Sequence, residues 1–382
     1  MKLEDFSNPA GQIIKTLEGH RAFLPNPLPP SINIVALLTP IGESIQLLGE
    51  LKGAARRTEN PYILIEPLQR REALTTSAME GTHTSIESLV LEEEGLATSK
   101  NEDVKETLNY IRALRLAIRS LEKYPISHRI ICGAHSSLLS GLSNERGANK
   151  RSGEYKKFQN WIGNSKDINQ ARYVPPPPDQ TQTCMNDLEK YINLEGRNII
   201  QKVLDLGIVH YQFEAIHPFG DGNGRIGRML ITLMAQQSGL SDLPLLYLSP
   251  YLENKKDEYI DLMYAVTTRS AWTEWLLFFL NAINATSKDT IHKIDDLLAL
   301  QKKYKRLAAE SGRSAKLLET IDGLFRSPYT TIPRTMEKHD ITYRAAQLLL
   351  GKLVNAGILK EISATFPKQF VAQEIVQISN RN

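Results

Sequence analysis

The sequence predicts a mainly α fold: a helical core with a small β-hairpin flap, followed by a C-terminal winged helix-turn-helix. Three observations carry that prediction. Apolar residues recur at three- and four-residue spacing through most of the middle of the chain. Strand-like sequence is scarce in the same region. From about residue 287 the pattern changes, ending in two short helices followed by an apolar strand signal. At 382 residues the chain can bury a sizeable core and has room for two or three domains.

Taken in order, the first 60 or so residues carry the proline cluster PNPLPP (25–30) and read as an extended arm leading into helices. Helical periodicity then covers 66–80, 104–122, 185–216, 225–238 and 255–283. Within 185–216, Ile199, Ile200, Val203, Leu204 and Ile208 share one face. FQNWIG (158–163), a polar turn and ARYV (171–174) read as a hairpin, and the four prolines at 175–178, lacking amide donors, end its pairing. A long helical pattern (about 287 to 309) leads to LLETIDGLF and then to the winged-helix pattern, whose second helix stops at Gly357. The expected division is 1–100 for the arm and first helices, 101–285 for the core, and 286–382 for linker helix and winged helix. The acidic run at 92–94 reads as a solvated helix end, and His83 as an exposed loop histidine.

Composition narrows the class. Hydrophobic residues at 41% and charged residues at 23% are ordinary for a globular protein, and a net charge of +3 does not mark a nucleic-acid binder. Charge is uneven, however: residues 301–382 hold 14 Lys+Arg against 7 Asp+Glu, which favours an anionic partner. The expected recognition helix, 342–356, offers only Arg344 and Lys352, so docking or dimerisation (a homodimer) is favoured over nucleic acid for this region. Cys132 and Cys184 lack metal-ligand spacing and are expected to be reduced thiols in a cytoplasmic protein. MKLEDFSNP has no apolar signal core, and the strongest apolar run, WLLFFLNAI (275–283), is too short to cross a bilayer, so no membrane partner is expected.

The stretch HPFGDGNGRIGR (217–228) concentrates a histidine, an acid, four glycines and two arginines between two helices. It opens the second helix, where unpaired amides and the positive dipole end attract anions. Gly222 and Gly224 leave those amides open to a phosphate. Arg225 and Arg228, on the first helical turn, suit phosphate oxygens, and Asp221 suits Mg²⁺. His217 has the ordinary pKa of a general base. GNGRIG also matches GxGxxG, but a helix precedes it and no βαβ unit surrounds it, so a dinucleotide fingerprint is rejected. No P-loop occurs. His210, Glu214 and His217 fall at helical spacing, and His210 is read as structural rather than as a metal ligand.

This stretch resembles the signature HPFx[DE]GNGRxxR of the Fic family of protein adenylyltransferases, matching every defined position. The flanks QFEAIHPF and LSPYLENKKDEYIDLM agree, and FQNWIG…ARYVPPPP is similar to that family's substrate-binding flap. The resemblance implies a Fic-type helical core and transfer of AMP from ATP to a hydroxyl of a target protein, with Mg²⁺, and to itself when no target is present. It implies His217 as the base, Asp221 as the metal ligand, and Gly222, Asn223, Gly224, Arg225, Ile226, Gly227 and Arg228 as the ATP-binding stretch. Tyr259 matches an aromatic near the adenine; Gln159, Asn160, Trp161 and Ile162 match the target-binding flap, although Trp161 could equally pack beneath the hairpin. TTSAMEG (75–81) resembles the family's inhibitory motif, with Thr76, Glu80 and Gly81 at the matching positions and Arg228 as the partner of Glu80. Removal of AMP at the same site, and DNA binding through the winged helix, are the alternatives.

Overall fold

The structure, a computed structural model, describes residues 1–57, 60–95, 101–143, 151–163, 165, 167–310, 314–362 and 368–381. The N-terminal arm is not simply extended. Gly11–Lys15 (β1) and Arg21–Pro25 (β2) pair antiparallel, with Gly11 opposite Pro25 and Lys15 opposite Arg21. Phe23 is fully buried, and its amide donates to Val174 O, so the hairpin fastens the arm beside the flap. The sequence hid this because the pairing residues are few and the buried Phe23 belongs to no repeating pattern.

Helices follow: Leu38–Ala55 (α1), Tyr62–Met79 (α2), Ile86–Glu93 (α3), Glu102–Leu121 (α4) and His128–Leu138 (α5). Pro178–Ile192 (α6) and Ile199–Ile216 (α7) replace the single helix expected over 185–216. Gly196 at φ +76° breaks it, and Asn198 with Gln201 forms a capping box that starts α7 afresh. Asn223–Gln237 (α8) and Ser249–Asn254 (α9) precede Lys256–Arg269 (α10) and Trp272–Glu310 (α11). The periodicity of 255–283 is therefore also split, at Ser270, which is left-handed. α11 runs without a break through the boundary expected at 285/286.

α1 lies along α11 and touches α7, burying Leu47, Leu48 and Leu51; each such side chain contributes about 1.5–3 kcal/mol. Ile34–Ala55, unlike the shorter run at 275–283, is long and apolar enough to cross a membrane by length and composition. Here that segment packs one stripe into the core while Glu43 and Glu50 face outward. One apolar cluster runs from Ala10 through the central helices to Ile375.

The C-terminal region comprises Ala315–Arg326 (α12), Tyr329–Thr331 (β3), Ile332–His339 (α13), Tyr343–Asn355 (α14), Lys360–Ile362 (β4), Gln369–Val371 (β5) and Gln373–Asn380 (α15). The strands form an antiparallel sheet of order β3-β5-β4 beside the α13–α14 pair, the element order of a winged helix-turn-helix. This region is docked on α2 and α3. Arg70 donates to Glu93, Glu66 and Arg326 O; Arg326 pairs with Glu66; Arg334 pairs with Glu94. Glu93 and Glu94 are thus not solvated: their carboxylates tie α3 to α2, α4 and α13. Their partners lie on other helices, so the run EEE alone could not reveal the pairing.

Candidate active site

His217 is the C-cap of α7, in the left-handed region at φ +48°. The turn after it is closed by Asn223, whose Oδ1 accepts from Phe219 N (2.8 Å) and whose Nδ2 donates to Phe219 O (2.9 Å). Gly222, at φ +74°, caps α8. Its conformation favours glycine, and a Cβ there would lie 3.0 Å from Leu138 Cδ2. The amides of Asn223, Gly224 and Arg225 open α8 without acceptors inside the helix, as at any helix start. His135, stacked on Phe219 at 3.8 Å, supports the turn from below. Its Nε2 donates to Asp221 O and its Nδ1 accepts from Gly153 N, which fixes a neutral tautomer; burial lowers its pKa to about 4.

The two arginines differ. Arg225 is buried and paired with Glu106 of α4, and its other terminal nitrogen lies 3.8 Å from Asp221. Arg228 is also buried; Nη2 donates to Glu80 Oε1 (2.6 Å) and Thr76 O (3.1 Å), and Nε donates to Thr76 Oγ1 (2.7 Å). Glu80 caps α2, and Gly81 follows at φ +86°. A Cβ on Gly224 would sit 2.4 Å from Glu80 Oε1, so the bare glycine is what lets the carboxylate reach over the start of α8. Burial pushes the Glu80 carboxyl up, but Arg228 outweighs it and the net pKa lies below the usual value.

These groups share one cavity of about 520 Å³, lined by Glu80, Glu214, His217, Gly224, Arg228 and Tyr259. Burial, reinforced by Lys156, lowers the His217 pKa to about 4, so the imidazole is neutral at pH 7; its Nδ1 is enclosed without a partner. Burial raises the Glu214 carboxyl to about 7. Tyr259 is buried and its hydroxyl meets His210 Nε2 at 2.8 Å; His210, enclosed and also bonded to Gly227 O, is structural as expected. Asp221 remains half-exposed, its Oδ1 accepting from Gly222 N (2.6 Å). Among the described residues no group of three or more His, Cys, Asp or Glu side chains converges on a point. A lone carboxylate beside a helix start whose amides are open to an anion still fits Mg²⁺, which takes one or two carboxylates and completes its shell with phosphate oxygens and water.

Two models cover residues 38–119 and 125–235: "Fic/DOC family N-terminal" and "Fic/DOC family". Together they span just over half of the chain. The chain belongs to the Fic/DOC family. Among its relatives, Protein adenylyltransferase Fic of Drosophila grimshawi is 29% identical over 136 residues, 34% of this chain and 26% of that protein. The Aedes aegypti protein of the same name is 31% identical over 87 residues, 23% of this chain and 16% of its own length. The chain thus matches about a quarter or less of these relatives' length. A Fic family protein from Desulfovibrio desulfuricans has the same fold at TM-score 0.56 and 17% identity, over 90% of this chain and 98% of that one. The Fic-1 fragment from C. elegans matches at TM-score 0.50 and 19% identity, over 69% and 74%.

In this Fic protein the flap is slighter than FQNWIG suggested: a single antiparallel bridge joins Ile162 to Tyr173. Residues 164 and 166, within its turn, lie outside the described residues. Trp161 and Ile162 are more than a third exposed, with Trp161 Nε1 donating to Ser165 O. Gln159 and Asn160 turn inward instead: Gln159 donates to Pro175 O, and Asn160 to His217 O and Phe219 O. Glu106, His135, Lys156 and Glu214 carry no signal in the sequence that assigns them to the site. The first three lie 119, 86 and 61 residues from the Fic-motif residues they contact, and nothing in the sequence links them. Glu214 stood inside a pattern already considered for metal binding, and only its enclosure in the cavity distinguishes it.

Proposed function

We propose that the protein transfers AMP from ATP to a serine, threonine or tyrosine hydroxyl of a target protein, and to itself, and that Glu80 restrains the reaction. The observation that carries this reading is the convergence, in one cavity, of a neutral imidazole, the opening amides of α8 and a buried arginine. His217 accepts the proton of the target hydroxyl, whose oxygen bonds to the α-phosphorus. The bond from that phosphorus to the oxygen bridging to the β-phosphate breaks, and pyrophosphate leaves with the electron pair. The amides of Asn223 and Gly224 and the Arg228 guanidinium hold phosphate oxygens. Asp221 is the residue to hold Mg²⁺, which when bound neutralises charge on the phosphates. Tyr259 lines the wall offered to the base, and Trp161 and Ile162 face the target. Glu80 occupies the Arg228 position that a phosphate needs, which is the basis for restraint.

For the C-terminal region we infer docking or dimerisation. α14 has only Arg344 and Lys352 as cations, and Tyr343 and Leu348 are exposed on it.

The test uses wild-type, Glu80→Gly and His217→Ala proteins with Mg²⁺ and ATP labelled at the α-phosphate, followed by intact mass. Weak label on wild-type, strong label on Glu80→Gly and none on His217→Ala supports the reading. No label on any of the three, with ATP bound by all, refutes self-modification and turns the search to an external target or to AMP removal. Failure of all three to bind ATP overturns the loop reading itself.

A further inference from the structure

Four consecutive carbonyls of the motif turn are held by two residues of the flap segment. Lys156 Nζ donates to Ile216 O (3.2 Å) and His217 O (3.0 Å), and Lys156 N donates to Pro218 O (2.8 Å). Asn160 Nδ2 donates to His217 O (3.2 Å) and Phe219 O (2.9 Å), while its Oδ1 accepts from Lys156 Nζ (2.9 Å). Lys156 is only 6% exposed, unusual for a lysine, and among the described residues no carboxylate pairs with it. Among the described residues its ammonium hydrogen-bonds to the turn and to Asn160. A buried ammonium is costly, and burial lowers the Lys156 pKa to about 7 even though Ile216 O, His217 O and Asn160 Oδ1 all accept from it.

The turn needs such a hold. His217 is a non-glycine residue in the left-handed region, a costly conformation that persists only where its surroundings over-determine it. Without the clamp the carbonyls of 216, 217 and 218 would lose these donors and Phe219 O would keep Asn223 Nδ2, and the imidazole would lose the backbone geometry that aims it into the cavity.

We infer that Lys156 and Asn160 are positioning residues that fix the left-handed turn at His217 and so aim the base at the acceptor hydroxyl. The inference rests on the reading of His217 as the base. It reassigns Asn160 from target binding to support of the catalytic turn. Lys156 also bears on the imidazole's charge. Facing His217 are Lys156 from the flap segment, Glu80 from the end of α2 and the Glu214 backbone in α7, and Arg228 of α8 with Lys256 and Tyr259 of α10 line the same cavity; Lys156 disfavours the imidazolium, while Glu80 and the Glu214 backbone favour it.

The experiment measures kcat and KM for ATP, and the pH profile of kcat, in the full chain carrying Glu80→Gly. To this are added Lys156→Met, Lys156→Arg, Asn160→Ala or His217→Ala. Lys156→Met is expected to lower kcat by about 10²-fold, the scale of a small misplacement of a reacting group. Its KM for ATP stays within about twofold, because the clamp touches none of the phosphate-binding groups proposed above. Its acid limb moves to higher pH as the imidazole pKa rises. Lys156→Arg, which keeps charge and donors, recovers most of the rate and the original limb. Asn160→Ala leaves the buried ammonium in place, so it reads the clamp even if Lys156→Met fails to fold; its kcat falls with KM unchanged. A folded Lys156→Met or Asn160→Ala with unchanged kcat overturns the inference, as does loss of rate that arginine does not restore. Label retained in His217→Ala overturns the base reading itself; no label there, beside full-rate Lys156→Met, overturns only the clamp.

Discussion

Replacing Glu80 tests the restraint quantitatively. Its carboxylate makes one short charge-assisted bond to Arg228, 2.6 Å from Oε1 to Nη2. A hydrogen bond to a charged group contributes about 1.5–3 kcal/mol when enclosed. The Glu80 side chain is 37% exposed, so solvent screening moves the value toward the ~1 kcal/mol of exposed pairs. A range of about 1–2 kcal/mol remains, equivalent to about 5- to 30-fold in occupancy by a competing phosphate. Arg228 keeps its place in the variant, because Thr76 still accepts from both Nε and Nη2. Glu80→Gly should therefore bind ATP and incorporate α-phosphate label, at subsaturating ATP, about 5- to 30-fold better than wild-type. Glu80→Gln, which can still accept from Arg228 as a neutral amide, should fall between. Initial rates of label incorporation across ATP concentrations, with ATP binding measured separately, decide the matter. A ratio within about twofold refutes the argument, and so does one above about 10³, since one screened contact cannot supply it.

Other substitutions probe the supports. Glu106→Ala leaves the Arg225 guanidinium enclosed without its carboxylate, at a cost of about 3–5 kcal/mol in denaturant unfolding; a loss below about 1 kcal/mol contradicts this. Glu214 has a folded pKa near 7 against an ordinary 4.5, so its contribution to stability is complete below about pH 4.5 and is lost as pH rises through 7. Glu214→Gln should accordingly lose less Tm than wild-type between pH 5 and 8, and equal losses would count against the shift. Arg70→Met should speed hydrogen exchange in α12 and β3, because Arg70 bridges Glu66, Glu93 and Arg326 O; unchanged exchange there would show that the docking does not depend on it.

The fold class was legible because helical periodicity repeats across many residues, and α2, α4 and α8 emerge close to their expected bounds. Breaks were less legible. Gly196 and Ser270 interrupt helices through single left-handed residues, and neither disturbs the apolar spacing on either side. The motif loop was readable since its chemistry is contiguous in sequence, and the Glu80–Arg228 pair since both members sit in recognisable motifs. Arg225 was legible as a cation near the α8 start, but not as the partner of Glu106, because a buried ion pair between helices leaves no local pattern. The same reason hid Lys156 and His135: each acts on backbone carbonyls, which every sequence supplies equally.

The anchoring of α2 has a consequence for how the site is opened. Its early turns are tied by Glu66 and Arg70, its middle is buried through Glu72 and Ala73, and Lys256 donates to Met79 O at its end. A helix gripped along its whole length does not swing, so on the reading proposed above the obstruction is a latch with a stroke of one side chain. Rotation about the torsions of Glu80 alone clears Arg228, with no domain displaced and little core disrupted. On that same reading, a partner that offers this carboxylate another cation, or crowds it from the solvent-facing side, would release the latch.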